Sequence, residues 1–224
     1  MGGRGDEVVN VCFHGIGIPG RALEPGEDAY WVTEDAFGDI LDLLAAHPEV
    51  RISFDDGNAS DVAIGLPALL ARGLRASFFL LAGRVDQPGS VGAAGVRALV
   101  EAGMAVGSHG MDHRPWAGLT GPDRDVELRV ARERLSACAG VPVDTAACPL
   151  GRYDRAVLAD LRSLGYRTVY TSDRRRSRAG DWLQHRYSVR AADTPATLRW
   201  DVLEPPAAVE RGLAALKGRV KAWR

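Results

Sequence analysis

Short apolar segments rich in β-branched and aromatic residues alternate along the chain with longer segments whose apolar residues recur at helical spacing. The short segments predict strands at 8–13, 50–54, 76–81, 105–108, 145–148 and 168–171, and Val189 marks a last strand. Strands and helices that alternate in this way favour a parallel sheet or an α/β barrel. In both architectures the functional residues lie at the carboxyl ends of the strands.

Five helices are predicted between these strands. The first begins after an N-cap at Thr33, and its apolar positions are Phe37, Ile40, Leu41 and Leu44. The others span 60–72, with a break at Pro67, and then 91–102, 122–139 and 155–164. Glycine, the preferred residue just beyond a helix end, follows four of the five, at Gly73, Gly103, Gly140 and Gly165.

The overall composition is that of a globular protein. Its 28 lysines and arginines balance 29 aspartates and glutamates, 46% of its residues are apolar, and the formal charge is −1. Without a basic excess, the chain is not expected to bind nucleic acid. A chain of 224 residues can bury one full core, so a single catalytic domain over 1–224 is predicted.

The three cysteines, Cys12, Cys138 and Cys148, are too few for a disulfide framework. The first residues lack the apolar stretch of a secretory signal, and no segment approaches the roughly 20 apolar residues that span a bilayer. We therefore expect reduced thiols and a cytoplasmic location.

The carboxyl-terminal segment 205–224 has the pattern of an amphipathic helix. Its apolar residues are Val209, Leu213, Leu216, Val220 and Trp223, and lysines and arginines occupy the other faces. Such a helix packs on its own domain, or it rests as a basic surface helix on a membrane or a partner protein.

Polar side chains follow several predicted strands directly. His14 ends the first strand, Asp55 and Asp56 follow the second, and His109 follows the fourth, with His113 four residues later. Two histidines four residues apart on a helical turn face the same way, and a carboxylate would complete a metal site that leaves positions open for water and substrate. The second carboxylate remains available as a general base.

These residues carry a family resemblance. The segment ISFDDG at 52–57 resembles the TFDDG motif of the polysaccharide deacetylases, the NodB-homology or carbohydrate esterase family 4 group, and SHGMDH at 108–113 resembles their H[ST]xxH motif. The resemblance covers about residues 8–190. It implies a distorted, short (β/α) barrel and metal-dependent removal of an acetyl group from a sugar.

Carried over to this sequence, the resemblance makes Asp55 the catalytic base and Asp56, His109 and His113 the metal ligands. The ion is expected to be zinc, although cobalt, nickel or iron also suit two histidines and one aspartate. The substrate is expected to be contacted by Pro149 and Gly151 of the third motif, by the adjacent Arg152 and Tyr153, and by Asp181 and Trp182, which resemble the fourth motif. An ordinary turn with a core tryptophan is an equally good interpretation of Asp181 and Trp182.

Two departures from the family pattern leave alternatives open. The arginine of the third motif, which braces the catalytic aspartate, is missing here, and Arg152, Arg186 or Arg190 could replace it. The carboxyl-terminal histidine that acts as general acid is also missing. The first strand ends in His14, which resembles the permuted arrangement of biofilm-polysaccharide deacetylases, where this strand opens the chain. His14 is therefore preferred as the acid, with His185 as the other candidate. These departures keep a second function open, that of a catalytically silent homologue that binds a carbohydrate or a partner.

A glycine-rich segment at 15–20 matches the dinucleotide fingerprint GxGxxG. That fingerprint requires a helix directly behind it, because the helix amino terminus binds the pyrophosphate. Residues 21–30 lack apolar periodicity, so a loop beside the site is favoured over a nucleotide site.

Overall fold

The computed structural model describes residues 6–203 of the chain. The terminal helix predicted at 205–224 lies outside the described residues. None of the helices within residues 6–203 combines the length and the apolar composition of a transmembrane span.

The strands, in chain order, are β1 (Glu7–Phe13), β2 (Gly15–Ile16), β3 (Trp31–Val32), β4 (Val50–Asp56), β5 (Ala76–Leu80), β6 (Ala105–Ser108), β7 (Thr145–Ala147), β8 (Thr168–Thr171), β9 (Ser177–Arg178) and β10 (Leu183–Ser188). Seven of them form a parallel sheet in the order β1-β4-β5-β6-β7-β8-β10. The sheet closes because β10 also pairs with β1, with Asn10 opposite Arg186. The predicted α/β barrel is therefore confirmed.

The helices surround this barrel: α1 (Glu34–Ala45), α2 (Leu66–Ala71), α3 (Ala93–Glu101), α4 (Gly121–Asp125), α5 (Ala131–Ala139), α6 (Arg155–Ser163) and α7 (Pro195–Leu198). Thr33 caps α1 as predicted, since its Oγ1 accepts a hydrogen bond from the Ala36 N–H at 3.2 Å. The predicted terminal glycines adopt left-handed φ angles between 64° and 79°. Two of the predicted helices are interrupted by π-helical turns, at Asp61–Gly65 and Val126–Val130.

The last barrel strand lies before the position predicted for it. It covers Leu183–Ser188 and ends just before Val189. Its sequence lacks an apolar run because alternate residues face a polar barrel interior. There, Gln184 accepts a hydrogen bond from Asn10 at 2.9 Å, and Arg186 donates one to Ser53 at 3.1 Å.

The glycine-rich segment does not open a helix. Gly15 and Ile16 form β2, which pairs with β3. A Cβ atom on Gly15 would lie 2.1 Å from the Trp31 ring, so glycine is required here for close packing. The next helical turn, a 3-10 turn, begins only at Glu27. The segment between β2 and β3 instead forms a loop over the carboxyl ends of the strands.

Candidate functional site

A cleft of about 230 Å³ opens at the carboxyl ends of the barrel strands. Five of the site residues predicted from the sequence line this cleft, namely His14, Asp55, Asp56, His109 and His113. A larger cavity of about 450 Å³ opens at the opposite end of the barrel and contains none of the predicted site residues. The candidate chemistry is therefore concentrated in the smaller cleft.

Asp56, His109 and His113 converge on one point of this cleft. The Asp56 Oδ1 atom lies 3.6 Å from Nε2 of His109 and 3.4 Å from Nε2 of His113. The same oxygen is buried and has no hydrogen-bond partner among the described residues. Burying a carboxylate oxygen without a hydrogen-bond partner costs free energy, and a cation bound at this position would offset that cost.

Each of the two imidazole rings is oriented by a contact of its Nδ1 atom, the nitrogen that faces away from Asp56. The Nδ1 atom of His109 lies 2.9 Å from the Ala147 carbonyl oxygen, and Nδ1 of His113 lies 2.8 Å from Oε2 of Glu24. When Nδ1 donates to these acceptors, the lone pair of each Nε2 faces Asp56. Burial lowers the pKa of His109 to about 4, so its imidazole is neutral at pH 7, as a metal ligand must be.

The three groups fit a divalent metal. Ligand atoms at about 2.1 Å from a tetrahedral ion lie about 3.4 Å from one another, close to the separations found here. The backbone is also strained at two of these positions, because φ is 76° at Asp56 and 57° at His113. Left-handed φ angles at residues other than glycine cluster at functional sites.

Asp55 forms a different arrangement, a buried ion pair with Arg186. Both guanidinium Nη atoms donate to its two carboxylate oxygens at 2.6 Å. Burial alone would raise the pKa of Asp55. The charge of Arg186, its hydrogen bonds and the nearby His109 and His14 together outweigh burial and hold that pKa well below its usual range. Asp55 is therefore ionised at any physiological pH. Of the three arginines that could brace it, Arg186 does so, whereas Arg152 and Arg190 are exposed.

We expect an Arg186→Met variant to lose about 3–5 kcal/mol of stability at pH 7, because a buried carboxylate would lose its partner. In the wild type, the depressed pKa of Asp55 stabilises the fold above its unfolded-state pKa, and this contribution disappears as the pH falls. In the variant, burial raises the pKa of Asp55, so the penalty shrinks on acidification. Urea unfolding of the metal-free proteins at pH 7 and pH 5 should show the difference in stability narrowing. An exposed Arg190→Met control should leave stability unchanged, and an equal difference at both pH values would contradict this account.

His14 stands beside this pair and lines the cleft. Its ring packs 5.0 Å from that of Tyr30, and its Nδ1 is buried without a hydrogen-bond partner among the described residues. The other candidate acid, His185, lies outside the barrel interior. It is 2.9 Å from Thr171 Oγ1 and 3.3 Å from the Asp173 carboxylate, and it does not line the cleft.

Cys12, His14 and Asp55 form a second group whose ligand atoms lie within 4.8 Å of one another. Two features disfavour a cation there. The charge of Asp55 is already compensated by Arg186, and burial raises the pKa of the Cys12 thiol, which keeps it protonated. The group around Asp56 is the better metal site.

The third-motif segment lies beside the cleft, but the residue that lines it is Leu150. Pro149 and Gly151, on either side, are buried, and Arg152 is exposed. Tyr153 is buried and donates from its hydroxyl to Asp173 at 2.7 Å.

Asp181 and Trp182, which were expected to contact substrate, do not line this cleft. They precede β10 and thus lie at the amino-terminal end of the barrel, opposite the cleft. The Trp182 indole donates to the Tyr166 carbonyl at 2.8 Å and packs under Arg162. Asp181 accepts a hydrogen bond from the Arg178 N–H in a turn. Both residues have local structural partners.

The sequence interpretation missed two contributors to the site, Glu24 and Tyr30. Both lie in the loop between β2 and β3 and line the cleft. This segment has no periodicity and no motif that marks either residue. The only signal was the position of the loop directly after a strand that ends in a candidate catalytic histidine.

Comparison with known proteins gives a consistent result. The family model described as polysaccharide deacetylase matches residues 45–169. YxkH of Bacillus subtilis (strain 168), a protein named as a polysaccharide deacetylase, is 23% identical over 153 residues, which are 68% of this chain and 52% of that protein. The chain thus spans about half the length of this curated relative.

Solved structures show the same fold. The Streptococcus pyogenes deacetylase PplD, in complex with acetate, superposes with a TM-score of 0.75 at 18% identity, over 89% of this chain and 99% of that chain. IcaB from Ammonifex degensii gives a TM-score of 0.70 at 22% identity, over 88% and 97%. At these identities the likeness shows the barrel fold.

Proposed function

Because the chain belongs to the polysaccharide deacetylase family, we propose that it is a metal-dependent hydrolase that removes an acetyl group from an N-acetylated sugar. The sugar is part of a polysaccharide, a glycan precursor or a carrier-linked intermediate. The observation that supports this most directly is the unpartnered Asp56 oxygen, with two oriented histidines beside it and an ionised Asp55 in the same cleft.

In this proposal Asp56, His109 and His113 hold a divalent ion, with zinc as the first candidate. Such an ion lowers the pKa of water toward neutrality and polarises the acetyl carbonyl. Asp55 accepts the proton of the attacking water. Its low pKa makes it a weak base, which would suit the acidified water that a bound ion would supply.

Two further groups complete the proposed reaction. Leu150 lines the cleft and lies between Pro149 and Gly151 in a tight turn, where its own backbone is left-handed, with φ at 55°. Its backbone N–H is suited to donate to the oxyanion that forms from the acetyl carbonyl oxygen. His14 is proposed to donate a proton to the departing sugar amine.

A His14→Gln variant tests the general acid. We expect its rate of acetate release from an N-acetylated sugar to fall by about 10²–10⁴-fold, because an amine leaves poorly without a proton. Hydrolysis of an aryl acetate should be affected much less, since a phenolate leaves without protonation. A steady-state comparison of both substrates measures this difference. His185→Gln is the matched control, and a loss specific to the amide in that variant would transfer the role to His185.

The function as a whole is tested by two measurements on the purified protein. These are its metal content and its acetate release from N-acetylated sugars, nucleotide sugars and oligosaccharides. About one metal per chain and chelator-sensitive acetate release are expected. Absence of bound metal, even after zinc or cobalt is added, would refute the catalytic proposal. Bound metal without turnover of any substrate would favour a binding module.

A further inference from the structure

The loop between β2 and β3 places one carboxylate against the candidate metal site. Glu24 contacts two segments that are far from it in the sequence. Its Oε2 atom lies 2.8 Å from Nδ1 of His113, and its Oε1 atom forms an ion pair with Arg84. Glu24 thus joins this loop to the loops that follow β5 and β6.

We propose that Glu24 is a positioning residue for the metal ligand His113, so that metal binding depends on the loop between β2 and β3. The inference rests on the metal site of the proposed function. A carboxylate that accepts the Nδ1–H of a ligating histidine sets its tautomer, orients its ring and increases the basicity of Nε2. Such partners typically change metal affinity by about 10–100-fold when they are replaced.

The two histidines differ in how they are oriented. The acceptor for His109 is the backbone carbonyl of Ala147, which belongs to strand β7 and is set by the barrel itself. The acceptor for His113 is a side chain of a loop, and His113 itself has a left-handed backbone, with φ at 57°. The orientation of His113 therefore depends on one side chain, that of Glu24, whereas the orientation of His109 depends on the backbone of the barrel.

The same loop forms a wall of the cleft through Pro25, Gly26, Glu27 and Tyr30. If Glu24 holds His113, then metal binding and this position of the loop stabilise each other, because coupling between two events is reciprocal.

Glu27 provides a matched control in the same loop. Its carboxylate pairs with Arg21 and accepts a hydrogen bond from the Glu24 N–H at 2.8 Å, and it makes no contact with His113 among the described residues. A Glu27→Gln change removes the same charge and weakens the loop but leaves the His113 hydrogen bond in place. Comparing the two variants separates a direct effect on the ligand from a general effect on the loop.

The test uses metal-stripped full-length wild type, Glu24→Gln, Glu24→Asp and Glu27→Gln. Affinities for Zn²⁺ and Co²⁺ are measured at pH 7 by competition with a chromophoric chelator, and the Co²⁺ absorption spectrum reports the ligand geometry. We expect Glu24→Gln to weaken binding by about 10–100-fold and to change the spectrum. Glu24→Asp should be intermediate, and Glu27→Gln should stay close to wild type. The Glu24 side chain is 40% exposed, so the changes at Glu24 leave the core intact, whereas Glu27 is buried. Circular dichroism verifies that every variant is folded.

Two outcomes would overturn this inference but leave the proposed function intact. One is a metal affinity of Glu24→Gln equal to that of the wild type. The other is an equal loss of metal affinity in Glu27→Gln, which would assign the effect to the integrity of the loop. Failure of the wild type to bind either ion would instead refute the proposed function, and the inference with it.

Discussion

An Asp56→Ala variant is expected to lose its bound metal and its acetate release together. The Asp56 carboxylate is the negative ligand of the proposed site, and its Oδ1 atom lies within 3.6 Å of both histidine Nε2 atoms. Without it, only the two imidazoles remain as ligands, and they hold a divalent ion weakly. Metal content after gel filtration and acetate release on the best substrate measure the two losses side by side.

Two controls make this result specific. Asp56→Asn retains the shape of the side chain and tolerates the left-handed backbone at this position, so its loss of metal would be due to charge rather than strain. Asp112→Ala removes an exposed carboxylate from the loop between the two histidines and should keep both metal and activity. An Asp56 variant that retains one tightly bound metal would place the ion elsewhere.

An Asp55→Asn variant should lose about 10²–10⁴-fold in kcat while it retains its metal. Asp55 is the proposed proton acceptor, and the loss of a general base typically costs this much. Its carboxylate is occupied by Arg186 and lies 3.8 Å from the nearest nitrogen of His109, so it is not needed to hold the ion. Single-turnover kinetics together with metal analysis would measure both properties.

The interpretation of this variant requires one further protein. Asp55→Asn leaves the buried Arg186 with a neutral partner, which lowers stability. An Asp55→Leu/Arg186→Met double variant removes both charges and should recover part of that stability without recovering activity. Metal loss in a well-folded Asp55→Asn protein would contradict the division of work between the two adjacent aspartates.

Much of the fold was predictable from local patterns. The first six barrel strands are short apolar segments, and helical spacing marks the helices between them. Thr33 and the four terminal glycines act through interactions within a few residues, so their positions follow from the sequence alone. The position of the last barrel strand was not predicted correctly. Its residues Gln184 and Arg186 face a polar interior, so the strand lacks the hydrophobic pattern of a buried strand.

The clustering of His14, Asp55, Asp56, His109 and His113 also follows from the sequence. Each residue stands at or just beyond the carboxyl end of a strand, and parallel strands in a barrel bring these ends together. What the sequence alone determined is therefore the set of reactive groups and the end of the barrel that carries them.

The partners of these groups were decided only by the tertiary structure. Arg152, Arg186 and Arg190 were equivalent in the sequence, and closure of the barrel placed Arg186 of β10 across from Asp55. Glu24 meets His113 across 89 positions of the chain, and Asp181 and Trp182 fall at the far end because they precede their strand. Motif spacing reports contacts between near neighbours, whereas these pairings depend on the closure of the barrel and the path of a loop without periodicity.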